Sequence, residues 1–114
     1  MTTNVFHVPS LQTEAQIQAG IIEYLRRTGW LVLELRGNAK RGGPVYQTKG
    51  TPDLYALRKG RSIWLEIKRP DQHPTPEQAA LHEIMRAQGV EVYVVRDLDA
   101  LLEITCIQKA IGAI

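Results

Sequence analysis

Apolar side chains recur along the chain with two different periods. Ile17, Ile21 and Leu25 are spaced as one stripe of an amphipathic helix, and Glu14 falls on the same stripe one step earlier. Thr13 followed by Gln16 is a capping-box pattern, so the helix is expected to start at Thr13 and run to about Thr28, with Gly29 as its stop. The segment Trp30–Arg36 then alternates and predicts a strand with Leu31, Leu33 and Leu35 on the buried face. A glycine-rich basic loop, GNAKRGGPVYQTKGTP, follows. Asp53–Arg58 and Arg61–Arg69 read as two strands joined by a tight turn at Lys59-Gly60. Thr75-Pro76-Glu77-Gln78 opens a second helix, with Thr75 as N-cap and proline in the first helical position, ending at Gly89. Val90–Arg96 is β-rich, and a last helix runs from Asp97 or Asp99 to about Lys109. The order α-β-β-β-α-β-α places the chain in the α/β class, with a mixed sheet flanked by helices.

Length leaves room for one domain, expected to span 1–114 with its core at about 13–103 and an irregular lead-in over residues 1–12. With 44% hydrophobic and 23% charged residues the composition is that of a folded globular domain. No apolar run approaches the roughly 20 residues of a membrane-spanning helix, so no membrane partner is expected. The first residues lack the basic and apolar regions of a signal peptide. Cys106 alone can form neither an internal disulfide nor a cysteine-built zinc site. A cytoplasmic protein is the expectation.

The formal net charge of +2 hides an asymmetry. Nine basic residues lie between Arg36 and Arg69 against two acids, Asp53 and Glu66, so this segment carries +7 and the remainder −5. Such a one-sided field attracts a polyanion, nucleic acid first. A solvated basic hairpin would have the same charge, and the two acids decide between the readings. A tight turn at Lys59-Gly60 pairs Arg58 with Arg61, and the same register sets Asp53 opposite Glu66. Directly opposed side chains have Cβ atoms about 4.5–5.5 Å apart, where two carboxylates repel unless a cation lies between them. A divalent ion with hard oxygen ligands meets that need. Lys68 joins Glu66 on its face by alternation. A salt-bridge cluster of Asp53, Glu66 and Lys68 is the alternative, although such clusters normally set opposite charges against each other.

Other candidates carry double readings. Glu14 sits in the first turn of the core-facing helix stripe, where it can reach the sheet end or simply favour the helix N-terminus; Glu23 faces away and should be solvated. Gln78 completes the Thr75 capping box and also edges the Leu81–Met85 stripe. His73 and His82 show no metal-like spacing and read as surface or loop residues.

Pro52-Asp53, then Glu66-Ile67-Lys68, with Glu14 upstream and Gln78 downstream, resemble the PD-(D/E)xK nuclease superfamily. The run from Gly50 through Glu103, together with TEAQIQAGIIEYLRRTGW, resembles more closely the stand-alone VRR-NUC domains of phages and bacteria. The likeness spans about residues 13–103. It implies a restriction-endonuclease-like αβββαβ core and Mg²⁺ or Mn²⁺ held by Asp53, Glu66, the Ile67 carbonyl and Glu14. Lys68 would then contact the attacking water or the scissile phosphate, with Gln78 supporting the site. No small-molecule organic cofactor is implied.

The expected activity is metal-dependent hydrolysis of DNA in a bacterial host or phage-infected cell. Lys40, Arg41, Lys49 and Arg69 would track the phosphate backbone without reading sequence. Resemblance to Holliday-junction resolvases adds an expected homodimer selective for branched DNA, since paired cuts need two sites. The apolar faces near Trp64 or the last helix are its candidate interfaces. A nuclease of the same fold acting on flaps or linear DNA is an alternative. A non-catalytic nucleic-acid-binding module would use the same basic hairpin but leave the opposed acids unexplained.

Overall fold

A computed structural model describes residues 12–35 and 48–112, with side chains as far as Cys106. The lead-in, Arg36, Lys40, Arg41, the rest of the glycine-rich loop up to residue 47, and the side chains of the AIGAI end lie outside the described residues. The elements follow the expected order: α1 (Glu14–Arg27), β1 (Leu31–Glu34), β2 (Leu54–Arg58), β3 (Arg61–Ile67), α2 (Pro76–Ala87), β4 (Glu91–Val95) and α3 (Leu98–Gly112).

Both expected capping boxes form. Thr13 and Gln16 exchange side-chain-to-backbone hydrogen bonds at the start of α1, and Thr75 and Gln78 do the same for α2. Each satisfies two backbone N–H groups that a helix start otherwise leaves without partners. The four strands lie in the order β1-β2-β3-β4. The first three are antiparallel, and β3 and β4 are parallel, joined by the α2 crossover. At the β2–β3 turn Lys59 and Gly60 both have positive φ, 49° and 87°, as a two-residue hairpin turn requires. Arg58 therefore pairs with Arg61, and the ladder runs to Leu54 opposite Leu65 in the expected register.

One sheet face carries Val32, Leu54, Ala56, Ile63, Leu65, Ile67 and Val95, packed with Ile17, Ile21 and Leu25 of α1 and Leu101 of α3. The expected burial of Leu31, Leu33 and Leu35 is corrected here. Val32 pairs with Ala56 and is buried, whereas Leu31 and Leu33 are 60% and 42% exposed. Pairing decides the phase of an edge strand whose alternate positions are apolar on both faces. Since Ala56 points into the core, its partner does too, and Leu31 and Leu33 point away.

Arg61 belongs to the core as well, rather than to the basic surface. Its guanidinium is held by both Glu91 oxygens, at 2.6 and 3.0 Å, and by the Ile104 carbonyl at 3.1 Å. Tyr93 donates its hydroxyl to Glu91 Oε1. The paired guanidinium holds the Glu91 carboxyl below its usual range, mainly through the hydrogen bond. This network ties α3 to β3 and β4 at the sheet end where the β2–β3 turn lies. Among the described residues no helix is long and apolar enough to cross a membrane.

Candidate active site

At the opposite end of the hairpin the apolar pattern of β3 gives way to Glu66 and Lys68, which alternate with Ile67. Ile67 enters the core, so its neighbours point to the other face, where α2 lies. Glu66 is fully buried, and Asp53, Lys68, Gln78 and His82 are each at most 8% exposed. Five polar side chains in one buried region are uncommon in a small domain, since charged groups are seldom fully buried without partners.

Each is fixed by its local backbone. The β2–β3 ladder ends one step short of Asp53. From there the Asp53 carbonyl accepts from Leu35 N–H at 2.8 Å, and its Oδ2 accepts from Ile67 N–H at 2.8 Å. The carboxylate thereby spans the two strands at the position where sequence register sets it opposite Glu66. Lys68 N–H donates to the Val95 carbonyl at 3.1 Å, extending the β3–β4 pairing by one residue and holding the lysine at the end of the sheet. Pro52 is fully buried just before Asp53.

Glu66 is the centre of the cluster. Gln78 Nε2 donates to its Oε2 at 3.0 Å, Lys68 Nζ lies 4.0 Å from that same oxygen, and His82 Nε2 lies 3.6 Å from Oε1. Gln78 closes the expected cap with its Oε1, and its Nε2 is left to donate to Glu66. His82 is a correction: it is 2% exposed, not a surface residue. It follows Gln78 by one helical turn, so the two share the face of α2 turned to Glu66. Burial, chiefly, pushes the His82 pKa down, with Arg86 and Lys68 acting in the same direction against Asp53.

Gly50 is a second residue that sequence reading missed. A Cβ there would stand 2.6 Å from the Glu77 carbonyl oxygen, and its φ is +91°. Only glycine lets the loop before Asp53 close against the first turn of α2, the turn that carries Gln78. Lys49, the preceding residue, lies 3.6 Å from Glu77.

The remaining candidates are distributed differently. Ile17, Ile21 and Leu25 are buried, as the helical phase requires, and Glu14 is half-buried on their stripe. Glu23 is exposed and pairs with Arg27 at 3.0 Å. Among the described residues no three His, Cys, Asp or Glu side chains converge closely enough to hold a metal ion, so Glu14 is not gathered with Asp53 and Glu66. Of the expected phosphate-tracking residues, Lys49 is exposed and Arg69 is 3.4 Å from Asp71. Lys40 and Arg41 lie outside the described residues.

The donor set suits a hard divalent cation. Asp53, Glu66 and the Ile67 carbonyl offer only oxygen. Among the described residues the buried cluster brings the Asp53 and Glu66 carboxyl groups together with the Lys68 amine. A bound cation would offset carboxylate charge held in such a buried setting.

No family model matches the sequence. A phage protein named "Putative nuclease p44", from Acyrthosiphon pisum secondary endosymbiont phage 1, is 39% identical over 80 residues, covering 63% of this chain and 83% of its own. A solved VRR-NUC domain superposes with a TM-score of 0.64 at 30% identity, covering 79% of this chain and 94% of that one. A second VRR-NUC domain protein reaches a TM-score of 0.67 at 19% identity, over 84% and 87% of the two chains, a likeness of fold. A mixed sheet of the same architecture, sequence identity over most of a nuclease relative, and a buried Asp-Glu-Lys cluster at the sheet end agree: the chain belongs to the VRR-NUC family of nucleases.

Proposed function

We propose that this nuclease hydrolyses phosphodiester bonds in DNA with Mg²⁺ or Mn²⁺ held by Asp53, Glu66 and the Ile67 carbonyl. The observation that carries the reading is Glu66: a fully buried carboxylate, hydrogen-bonded by Gln78 and flanked by Lys68, in the region that also buries Asp53. A divalent ion bound there would lower the pKa of a coordinated water and offset charge building on the phosphate.

The protein's own groups supply the rest. Asp53, anchored to Ile67 N–H, presents its carboxylate from a fixed position on the hairpin. Gln78 holds one Glu66 oxygen and limits rotation of the carboxylate. Lys68 places an ammonium beside Glu66, where it can orient the attacking water and stabilise negative charge on the phosphate oxygens. Glu14, half-buried in the first turn of α1, is the candidate further carboxylate. Lys40, Arg41, Lys49 and Arg69 are the candidate contacts to the DNA backbone.

The finer reading is a homodimer selective for four-way junctions, supported by the resemblance to stand-alone resolvases and the two-fold symmetry that paired cuts require. Incubating the purified protein with four-way, flapped and linear DNA in Mg²⁺, Mn²⁺ or EDTA tests both levels. Metal-dependent cleavage with preference for the junction, by a protein sedimenting as a dimer, supports the whole reading. Equal rates on all substrates by a monomer remove the junction selectivity but leave the hydrolysis. Chelator-insensitive DNA binding without cleavage in Mn²⁺ would return the protein to a non-catalytic binding module.

A further inference from the structure

We infer that His82 is a positioning residue for Glu66, forming with Gln78 a two-point clamp on its carboxylate. The inference rests on Glu66 being a metal ligand. Gln78 and His82 are four residues apart on one face of α2, and they address different oxygens: Gln78 Nε2 is 3.0 Å from Oε2, and His82 Nε2 is 3.6 Å from Oε1. One contact leaves a carboxylate free to rotate about its terminal bond; contacts at both oxygens define its plane. A defined plane sets which lone pairs remain for a cation.

Packing alone does not account for a histidine here. His82 is 2% exposed, and its Nε2 has no hydrogen-bond partner among the described residues. An apolar side chain would fill the same space without burying a polar nitrogen. The nitrogen lies instead beside Glu66 Oε1, just beyond direct hydrogen-bond range. Active-site hydrogen bonds are often long before the working complex forms and shorten within it. The other charged groups acting on the ring are Arg86, Asp53 and Lys68. A ring carrying its proton on Nε2 would donate to Glu66 Oε1 once that separation shortens. Orienting partners of this kind characteristically alter metal affinity or rate when removed.

The test is calorimetric titration of Mn²⁺ into wild type, His82→Leu, His82→Gln and Glu66→Gln, with thermal denaturation of each and cleavage rates across a Mn²⁺ series. His82→Leu, which keeps the volume but loses the donor, should weaken Mn²⁺ binding or cleavage by about 10–100-fold with a melting temperature near wild type. His82→Gln, which returns an amide donor, should recover most of the loss. Wild-type affinity and rate in folded His82→Leu would overturn the clamp, as would a His82→Gln variant no better than His82→Leu. Should His82→Leu not fold, His82→Gln decides: near-wild-type affinity supports the clamp, and a loss of about tenfold or more overturns it. Glu66→Gln separates the two layers of inference. If it binds Mn²⁺ like wild type, Glu66 is not a ligand and the clamp falls with that assignment. If it is inert while His82→Leu is unaffected, the positioning role alone fails.

Discussion

Replacing Glu66 with glutamine should destroy catalysis while leaving the fold nearly as stable as before. The Glu66 carboxylate is fully buried, and burying a charge opposes folding by several kcal/mol even after relaxation. Against this stands Lys68 Nζ at 4.0 Å, an attraction of about 4 kcal/mol at an effective dielectric constant of about 20. The hydrogen bond from Gln78 at 3.0 Å adds about 1.5–3 kcal/mol because its acceptor is charged. These terms nearly cancel. Glutamine keeps the size and an acceptor for Gln78 while removing both the buried charge and its attraction to Lys68. The change in stability should therefore stay within about 2 kcal/mol, a shift of less than about 15 °C in melting temperature for a domain of this size. Activity, by contrast, should fall by at least about 100-fold, because a hard anionic ligand is gone. Urea denaturation followed by circular dichroism, with DNA cleavage in saturating Mn²⁺, reads both quantities on the same preparation. A loss of stability above about 4 kcal/mol would show that Glu66 holds the fold together, as a structural salt-bridge cluster would. Retained cleavage in a folded Glu66→Gln protein would refute its role in catalysis.

Lys68→Ala should lose turnover far more than Mn²⁺ affinity, because an ammonium does not ligate a cation; parallel calorimetry and cleavage assays separate the two. Glu14→Gln should lower the rate or raise the Mn²⁺ requirement, whereas Glu23→Gln, exposed and paired with Arg27, should be silent; equal effects would mean that the stripe of α1 does not select the working acid. Arg61→Met should destabilise the protein by about 2 kcal/mol at pH 7, less than for a fully buried pair because the Glu91 side chain is 37% exposed. The folded-state Glu91 pKa is depressed, so this increment is present above the ordinary carboxylate pKa and fades as pH falls through the folded value. Denaturation curves of wild type and Arg61→Met should therefore converge toward low pH, and a constant gap would contradict the pairing.

The β2–β3 register was legible because a two-residue turn leaves little freedom: once Lys59 and Gly60 take positive φ, Arg58 meets Arg61 and every later pair follows. The same local rules identified both helix caps. Gln78 was legible as a cap residue; its bond to Glu66 was not, although a capping box uses only the side-chain carbonyl and leaves the amide nitrogen available. Properties set by distant parts of the chain were not legible. Trp30, Val32, Leu31, Leu33 and Leu35 make both phases of β1 apolar, and the choice depends on Ala56 in the next strand. Arg61 looks like one more surface cation until Glu91, 30 residues away, is brought beside it. His82 was hidden by Leu81 and Met85, which outline a more hydrophobic stripe of the same helix. Its signal was the four-residue step from Gln78, informative only once that face is known to meet Glu66. Gly50 likewise depends on a close approach that no local pattern encodes.

The central claim is that Asp53 and Glu66 create a divalent-cation site. It is tested most directly by titrating Mn²⁺ into wild type and Asp53→Asn in a calorimeter without DNA. Asparagine retains an oxygen that can accept from Ile67 N–H, so the hairpin end is expected to keep its shape while losing one anionic ligand. Saturable binding to wild type, weakened by at least about tenfold in a folded Asp53→Asn protein, is the predicted result. Equal binding to both proteins, or none to wild type, would contradict the account.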